Sequence, residues 1–314
     1  MFLRRRSWAS VISLVILVSI ILAACNKEVP THAEGKATKL ETGAVTVYKK
    51  KAISKKSKVY YKDRVAVLMY HDLVKGKTTK KALSAEVFKK QMELLKTSGF
   101  RVIGMKEYSD FVLKGGKVPD NAVLITFDDG YESFYKLAYP VLKEYGYPAT
   151  AFLIVRSIDE RIGVPKMTWD QMREMQKDGM TFYSHTYDSH AYADVNERGK
   201  SKPALTARKY LINKKRQETK EEARQRIIDD LKKAEERLKE ELGNTDSILC
   251  FPYGAYNDTV MEALKSLDIQ ISFTIEKGVN SRSDAKGFRI NAAKVGMDPE
   301  TTIGQLKKIK AYTG

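Results

Sequence analysis

Residues 122–130 read Ala-Val-Leu-Ile-Thr-Phe-Asp-Asp-Gly, an apolar run that ends in two adjacent carboxylates. The run has the character of a buried strand, and α/β folds place their chemistry where such strands end. Neighbouring residues leaving a strand point in different directions. Asp128 and Asp129 can therefore serve one site in two roles, one binding a metal and the other handling a proton. Asp-Asp-Gly is also ordinary turn chemistry, so the run alone leaves both readings open.

Partners for the carboxylates lie some way along the chain. It has four histidines, His32, His71, His185 and His190, and two of them fall in the segment Ser-His-Thr-Tyr-Asp-Ser-His at 184–190. That segment again follows a strand-like stretch, Met180 to Tyr183. Imidazole and carboxylate donors together suit zinc and similar divalent ions, and three protein ligands with an open position mark a catalytic site. Asp129, His185 and His190 would supply that set. Zinc is the foremost candidate, and the same donors accept cobalt, nickel or iron.

With these segments in view, the chain resembles the polysaccharide deacetylases of the NodB-homology group, carbohydrate esterase family 4. It is most similar to the branch that de-N-acetylates poly-β-1,6-N-acetylglucosamine. The matching pieces are TFDDG at 126–130, SHTYDSH at 184–190, FPYGAYN at 251–257 and VLMYHDL at 67–73. The resemblance runs over residues 63–312. It implies a distorted (β/α) barrel with fewer closed strands than eight.

The resemblance also implies roles. Asp128 is the general base beside the metal ligand Asp129. The backbone N–H of Tyr253 matches the family position that helps to hold the oxyanion. Pro252 and Gly254 flank it as substrate-binding turn residues, with Gly254 letting the backbone approach the sugar. Tyr253 is equally open to being a core aromatic at a strand-to-loop corner. Two departures stand out. Many members have arginine at the start of the third motif, orienting the base, where this chain has Cys250; many use a C-terminal histidine as acid, and nothing after His190 is histidine. The base is thus left without its usual orienting partner. His71, after the strand-like run Val65 to Tyr70, is the unassigned histidine of the domain and the candidate general acid. Asp72 either orients His71 or caps the next turn. Trp169 either lines the sugar site or belongs to the core.

The N-terminus reads as an export signal. Arg4, Arg5 and Arg6 precede an apolar run from Val11 to Leu22, and Leu22-Ala23-Ala24-Cys25 resembles a lipobox. Residues 1–24 are expected to be removed and Cys25 lipidated, anchoring the protein to the outer face of the bacterial cell membrane. An uncleaved anchor is the alternative, although the run is short for a span of about 20 residues. Residues 25–62 are polar and lysine-rich and read as a tether; His32 lies there and receives no role. Cys250 is left without a disulfide partner.

The remaining stretch, 63–314, suits one α/β catalytic domain. Strands are expected near 65–70, 122–128, 149–155, 180–184, 247–252 and 271–274. Ser84 is a candidate cap for a helix at 85–97, Thr168 with Gln171 forms a capping-box pattern, and Asp298-Pro299 reads as a helix start. Ile227, Leu231, Ala234, Leu238 and Leu242 recur at helical spacing in a charged helix over 218–242. The basic insertion at 197–217 is either a lid over the site or a plain surface excursion.

The formal net charge is +17 at pH 7. Such a protein outside the cytoplasm should associate with anionic lipid or wall polymer rather than nucleic acid. The reading is therefore a metal-dependent N-deacetylase of an N-acetylated surface polysaccharide, acting as a monomer, with poly-N-acetylglucosamine favoured. Peptidoglycan, chitin oligomers and O-acetyl esters are the other substrates. A glycan-binding lipoprotein without catalysis is the alternative of a different class.

Overall fold

The computed structural model describes residues 58–296 and 298–309. The signal segment, Cys25, His32 and most of the tether lie outside the described residues. Tyr61, assigned by sequence to the tether, is buried, and its hydroxyl donates to the Ala122 carbonyl at 2.9 Å.

Among the described residues, nine parallel strands form the main sheet. They are β1 (Val65–Tyr70), β2 (Arg101–Ile103), β3 (Ala122–Phe127), β4 (Thr150–Leu153), β5 (Thr181–Ser184), β6 (Ile248–Cys250), β7 (Ile271–Phe273), β8 (Lys286–Gly287) and β9 (Ile290–Asn291). The hydrogen-bonded order is β8-β7-β6-β5-β4-β3-β1-β9, and β2 and β4 share one side of β3. Every residue of β1 and β3 is buried, which is why both read as unbroken apolar runs: a parallel sheet is covered on both faces.

The two faces bury different sets, following the period-2 alternation of a strand. Val65, Val67, Ala122, Leu124, Cys250 and Phe273 join one cluster, completed by Tyr108 and Phe111 of helix α2 (Met105–Lys114). We number α1 as the helix before it, Ala85–Thr97. Ala66, Leu68, Val123, Ile125 and Phe127 face a larger cluster with α1, α3 (Tyr139–Tyr145), α5 (Trp169–Gln176), α6 (Lys220–Leu242) and α8 (Pro299–Lys307). A short α4 (Val155–Asp159) follows β4, and α7 (Asp258–Ser266) packs on α6. The expected stripe of α6, Ile227 to Leu242, is buried throughout.

The local stop and start signals explain the helix limits. Thr168 and Gln171 exchange both bonds of a capping box, as do Thr219 and Glu222 at the head of α6. Asp298 accepts from the Thr301 amide at 2.6 Å, with Pro299 in the first turn. Ser84 stands at the N-cap of α1, but its side chain makes no capping bond.

The ends of the sheet are nearly contiguous in sequence. β8 pairs with β7 at one edge and β9 pairs with β1 at the other, with Phe288 and Arg289 alone between them. One short stretch of chain thus touches both edges and curls the sheet into a distorted barrel. Sequence periodicity does not show β2, β8 or β9, because strands of two or three residues carry too little pattern.

Candidate active site

Strand register brings the reactive residues together. β1 and β3 pair residue for residue up to Tyr70 and Phe127, so His71 and Asp128 leave the sheet side by side. The Asp128 amide donates to the Tyr70 carbonyl at 2.9 Å. Likewise Ser184 is in register with both Leu153 and Leu249, which sets His185 beside Cys250.

Asp128 continues the alternation of Ala122, Leu124 and Thr126 and points to the inner face, where it is buried. Burial alone would raise its pKa. The charge of Arg289, with His185 and His71 behind it, outweighs that and holds the carboxyl well below its usual range. Arg289 is itself fully buried and donates from Nη1 to Oδ1 at 2.7 Å and from Nη2 to Oδ2 at 2.8 Å. Its Nε donates to the Thr274 carbonyl at 2.7 Å. The fork matches both oxygens of a carboxylate at once, a geometry lysine lacks.

This pair corrects the expectation that Asp128 lacks an orienting arginine. The guanidinium is present, but it arrives from the link between β8 and β9 instead of the third motif. Cys250 occupies the motif slot and still faces Asp128, its Sγ lying 3.7 Å from each carboxylate oxygen. His71 Nε2 stands 3.7 Å from Asp128 Oδ2, with its side chain 40% exposed, so it adjoins the carboxylate and also opens to solvent. Asp72 turns elsewhere and accepts from the Ser133 hydroxyl at 2.6 Å.

Asp129 turns away from Asp128 through a left-handed backbone, φ 71°, followed by Gly130 at 70°. Its Oδ1 lies 3.5 Å from His185 Nε2 and 3.2 Å from His190 Nε2. The donor atoms of Asp129, His185 and His190 fall within 4.8 Å of one another. The buried Oδ1 has no hydrogen-bond partner, an unfavourable state that a cation would relieve. His185 Nδ1 sits 2.7 Å from the Cys250 carbonyl, so the hydrogen belongs on Nδ1 and the Nε2 lone pair faces Asp129. Burial pushes its pKa down to about 4, keeping the ring neutral and able to ligate. The set fits a divalent metal.

Two supports were not visible in sequence. Tyr131 hydrogen-bonds to Asp129, and burial, then the Asp129 charge, pushes its phenol pKa up. The Lys166 ammonium lies 3.7 Å from the centre of the Tyr131 ring. The carboxylate of Asp230, on α6, accepts the amides of Tyr187 at 3.0 Å and Asp188 at 2.9 Å, bracing the loop that carries both histidines.

The third motif forms a tight turn beside this cluster. Tyr253 is left-handed, φ 57°, and 40% exposed, and its ring lies 4.7 Å from that of His190. The Gly254 and Ala255 amides donate to Phe251 and Pro252, while Pro252 has no N–H to give. Gly254 also has positive φ, 67°, and a Cβ there would meet Ile275 Cγ1 at 2.5 Å. The close approach that needs this glycine is therefore to Ile275. Trp169 opens α5, donates to Asp159 at 3.0 Å and lies beneath Arg237. It lines a cavity of about 490 Å³ that includes none of Asp128, Asp129, His185 or His190.

The chain is similar to known proteins in sequence and in fold. The family model described as polysaccharide deacetylase matches residues 115–272. The chain is 31% identical over 226 residues to the poly-β-1,6-N-acetyl-D-glucosamine N-deacetylase of Staphylococcus epidermidis, covering 71% of each protein. Against the enzyme of the same name from Escherichia coli K12 it is 28% identical over 244 residues, which is 74% of this chain. It spans only 35% of that longer relative. Among solved structures, a de-N-acetylase from Aggregatibacter actinomycetemcomitans superposes with a TM-score of 0.70 at 28% identity, covering 78% of this chain and 100% of that one. With three motifs on adjoining strand ends and a family match over half its length, the chain belongs to the polysaccharide deacetylase family.

Proposed function

We propose that this protein hydrolyses N-acetyl groups from poly-β-1,6-N-acetylglucosamine, using a divalent metal. The observation that carries the reading is one buried cluster holding a forced-ionised carboxylate, a neighbouring exposed imidazole and a three-donor metal set. Asp129, His185 and His190 would hold the metal, which would supply Lewis acidity at the water and the amide carbonyl. Asp128, kept ionised by Arg289, accepts the proton of the attacking water. The Tyr253 N–H bonds the carbonyl oxygen as it gains charge. His71 gives a proton to the departing amine, which leaves as the free amino sugar. The non-catalytic alternative rests on a missing arginine and a missing C-terminal histidine; Arg289 supplies the first, and His71 takes the place of the second in this proposal.

Acetate release from poly-β-1,6-N-acetylglucosamine, before and after chelation and with metal restored, tests the proposal. Loss on chelation and recovery with zinc are expected. Release from peptidoglycan, chitin oligomers or O-acetyl esters, with none from this polymer, would reassign the substrate. The proposal extends to location: the Arg-rich start and the Leu-Ala-Ala-Cys segment support export, with Cys25 lipidated on the outer face of the membrane. Labelling with a radioactive fatty acid, lost in Cys25→Ala, tests that part.

A further inference from the structure

The insertion that follows the histidine motif is braced against the domain. A ribbon pairs Tyr192–Asp194 with Ser201–Pro203, and the Ala204 amide donates to the Ala191 carbonyl at 2.7 Å. Arg226 of α6 donates to the carbonyls of Ala204 at 3.2 Å and Ala207 at 2.7 Å, and forms an ion pair with the buried Glu218. Leu205 is fully buried against Ile227, Leu231 and Phe251. A segment tied at this many points is a fixed shelf, and a fixed surface loses little entropy when a ligand settles on it.

At the start of this shelf stands Tyr192, an aromatic ring left 59% exposed. It lies 4.9 Å from the ring of Tyr253, which in turn lies 4.7 Å from His190, itself 4.7 Å from His185. An unbroken series of rings therefore leads from the metal set out to solvent. Two residues beyond Tyr192 in the same strand, Asp194 lines a hollow of about 540 Å³ shared with Glu197, Lys209 and Tyr210. An exposed ring face with polar groups beyond it matches a pyranose, which offers C–H faces to aromatic rings and hydroxyls to polar side chains.

We propose that Tyr192 is the stacking platform of a subsite for the sugar adjoining the one deacetylated, so that the shelf selects a polymer over a single amino sugar. This rests on the N-deacetylase reading above. Tyr253, against His190, borders the reacting sugar. Tyr192 is one ring further out and meets the next unit of the chain.

The test measures kcat and KM for a β-1,6-linked N-acetylglucosamine pentasaccharide with wild type, Tyr192→Ala and Tyr192→Phe, together with pentasaccharide binding in the Asp128→Asn background. Tyr192→Ala should raise KM and weaken binding roughly three- to tenfold with kcat little altered, and Tyr192→Phe should restore both. Unchanged KM and binding in Tyr192→Ala would overturn the subsite, as would a Phe variant as impaired as the Ala one. A fall in kcat alone would also overturn it, showing that the ring acts through Tyr253. No turnover of the pentasaccharide by wild type would instead sink the substrate reading.

Discussion

Arg289 and Asp128 stand 161 residues apart in the chain and meet as a buried two-pronged ion pair, at 2.7 and 2.8 Å. They belong to different parts of the sheet. Asp128 ends a central strand, and Arg289 lies where the sheet closes. The Asp128 carboxylate and the closure of the fold are one structural unit.

Arg289→Lys keeps the charge and loses the fork. It should lower kcat at least tenfold while leaving KM and bound metal unchanged. Arg289→Met strands a buried carboxylate and should cost about 3–5 kcal/mol of stability. Steady-state acetate release and urea unfolding read the two effects. A lysine variant with wild-type kcat would show that orientation of the base does not matter.

Removing His71 should spare the metal and slow the chemistry. General acid catalysis contributes roughly 10²–10⁴-fold, so His71→Ala should lose that much kcat. Metal content by elemental analysis should match wild type. Undiminished turnover would move the acid's role to another group.

The orphan oxygen of Asp129 should make the fold metal-responsive. Zinc at about one hundred times its Kd should add about 2.7 kcal/mol to stability, seen as a rise in Tm. Asp129→Ala should abolish the rise. If the variant still responded fully, the ligand set would be wrong.

Asp230 stands outside the three-donor set, yet it braces the histidine loop. Asp230→Ala should weaken zinc affinity about 10–100-fold, the usual cost of losing an outer-shell support. Competition with a chelating dye measures this without relying on activity. Equal affinity would show that the loop holds its shape unaided.

Glu235, on α6, has a buried oxygen with no partner, and burial raises its pKa to about 7 despite a bond from Ser247. The folded protein therefore binds a proton that the unfolded chain has already lost, so stability falls as pH rises from the ordinary carboxyl range to about 7. The loss should be about 3 kcal/mol and complete above that. Glu235→Gln should remove this slope, stabilising the protein at pH 8 much more than at pH 4. Parallel unfolding curves at both values for the two proteins would contradict it.

The site was legible in sequence where its residues cluster in short motifs. Asp128 with Asp129, and His185 with His190, each follow a recognisable strand, and the structure brings them together with His71. Arg289 was illegible because nothing around it signals a strand end: its flanking strands are two residues long. Asp230 and Tyr131 act through neighbours, and such support depends on tertiary distance rather than sequence spacing. Gly254 was read toward the sugar, whereas its constraint is Ile275, a contact set by the next strand's exit.

The short link between β8 and β9 also sets a schedule. During synthesis, the ligand strands and the base emerge long before residue 289 leaves the ribosome. Until then Asp128 lacks its guanidinium partner, while Asp129, His185 and His190 are already made. Arg289 is thus the last residue of the cluster to be made, and a proteolytic nick between residues 286 and 291 should loosen its hold on Asp128 while leaving Asp129, His185 and His190 in place.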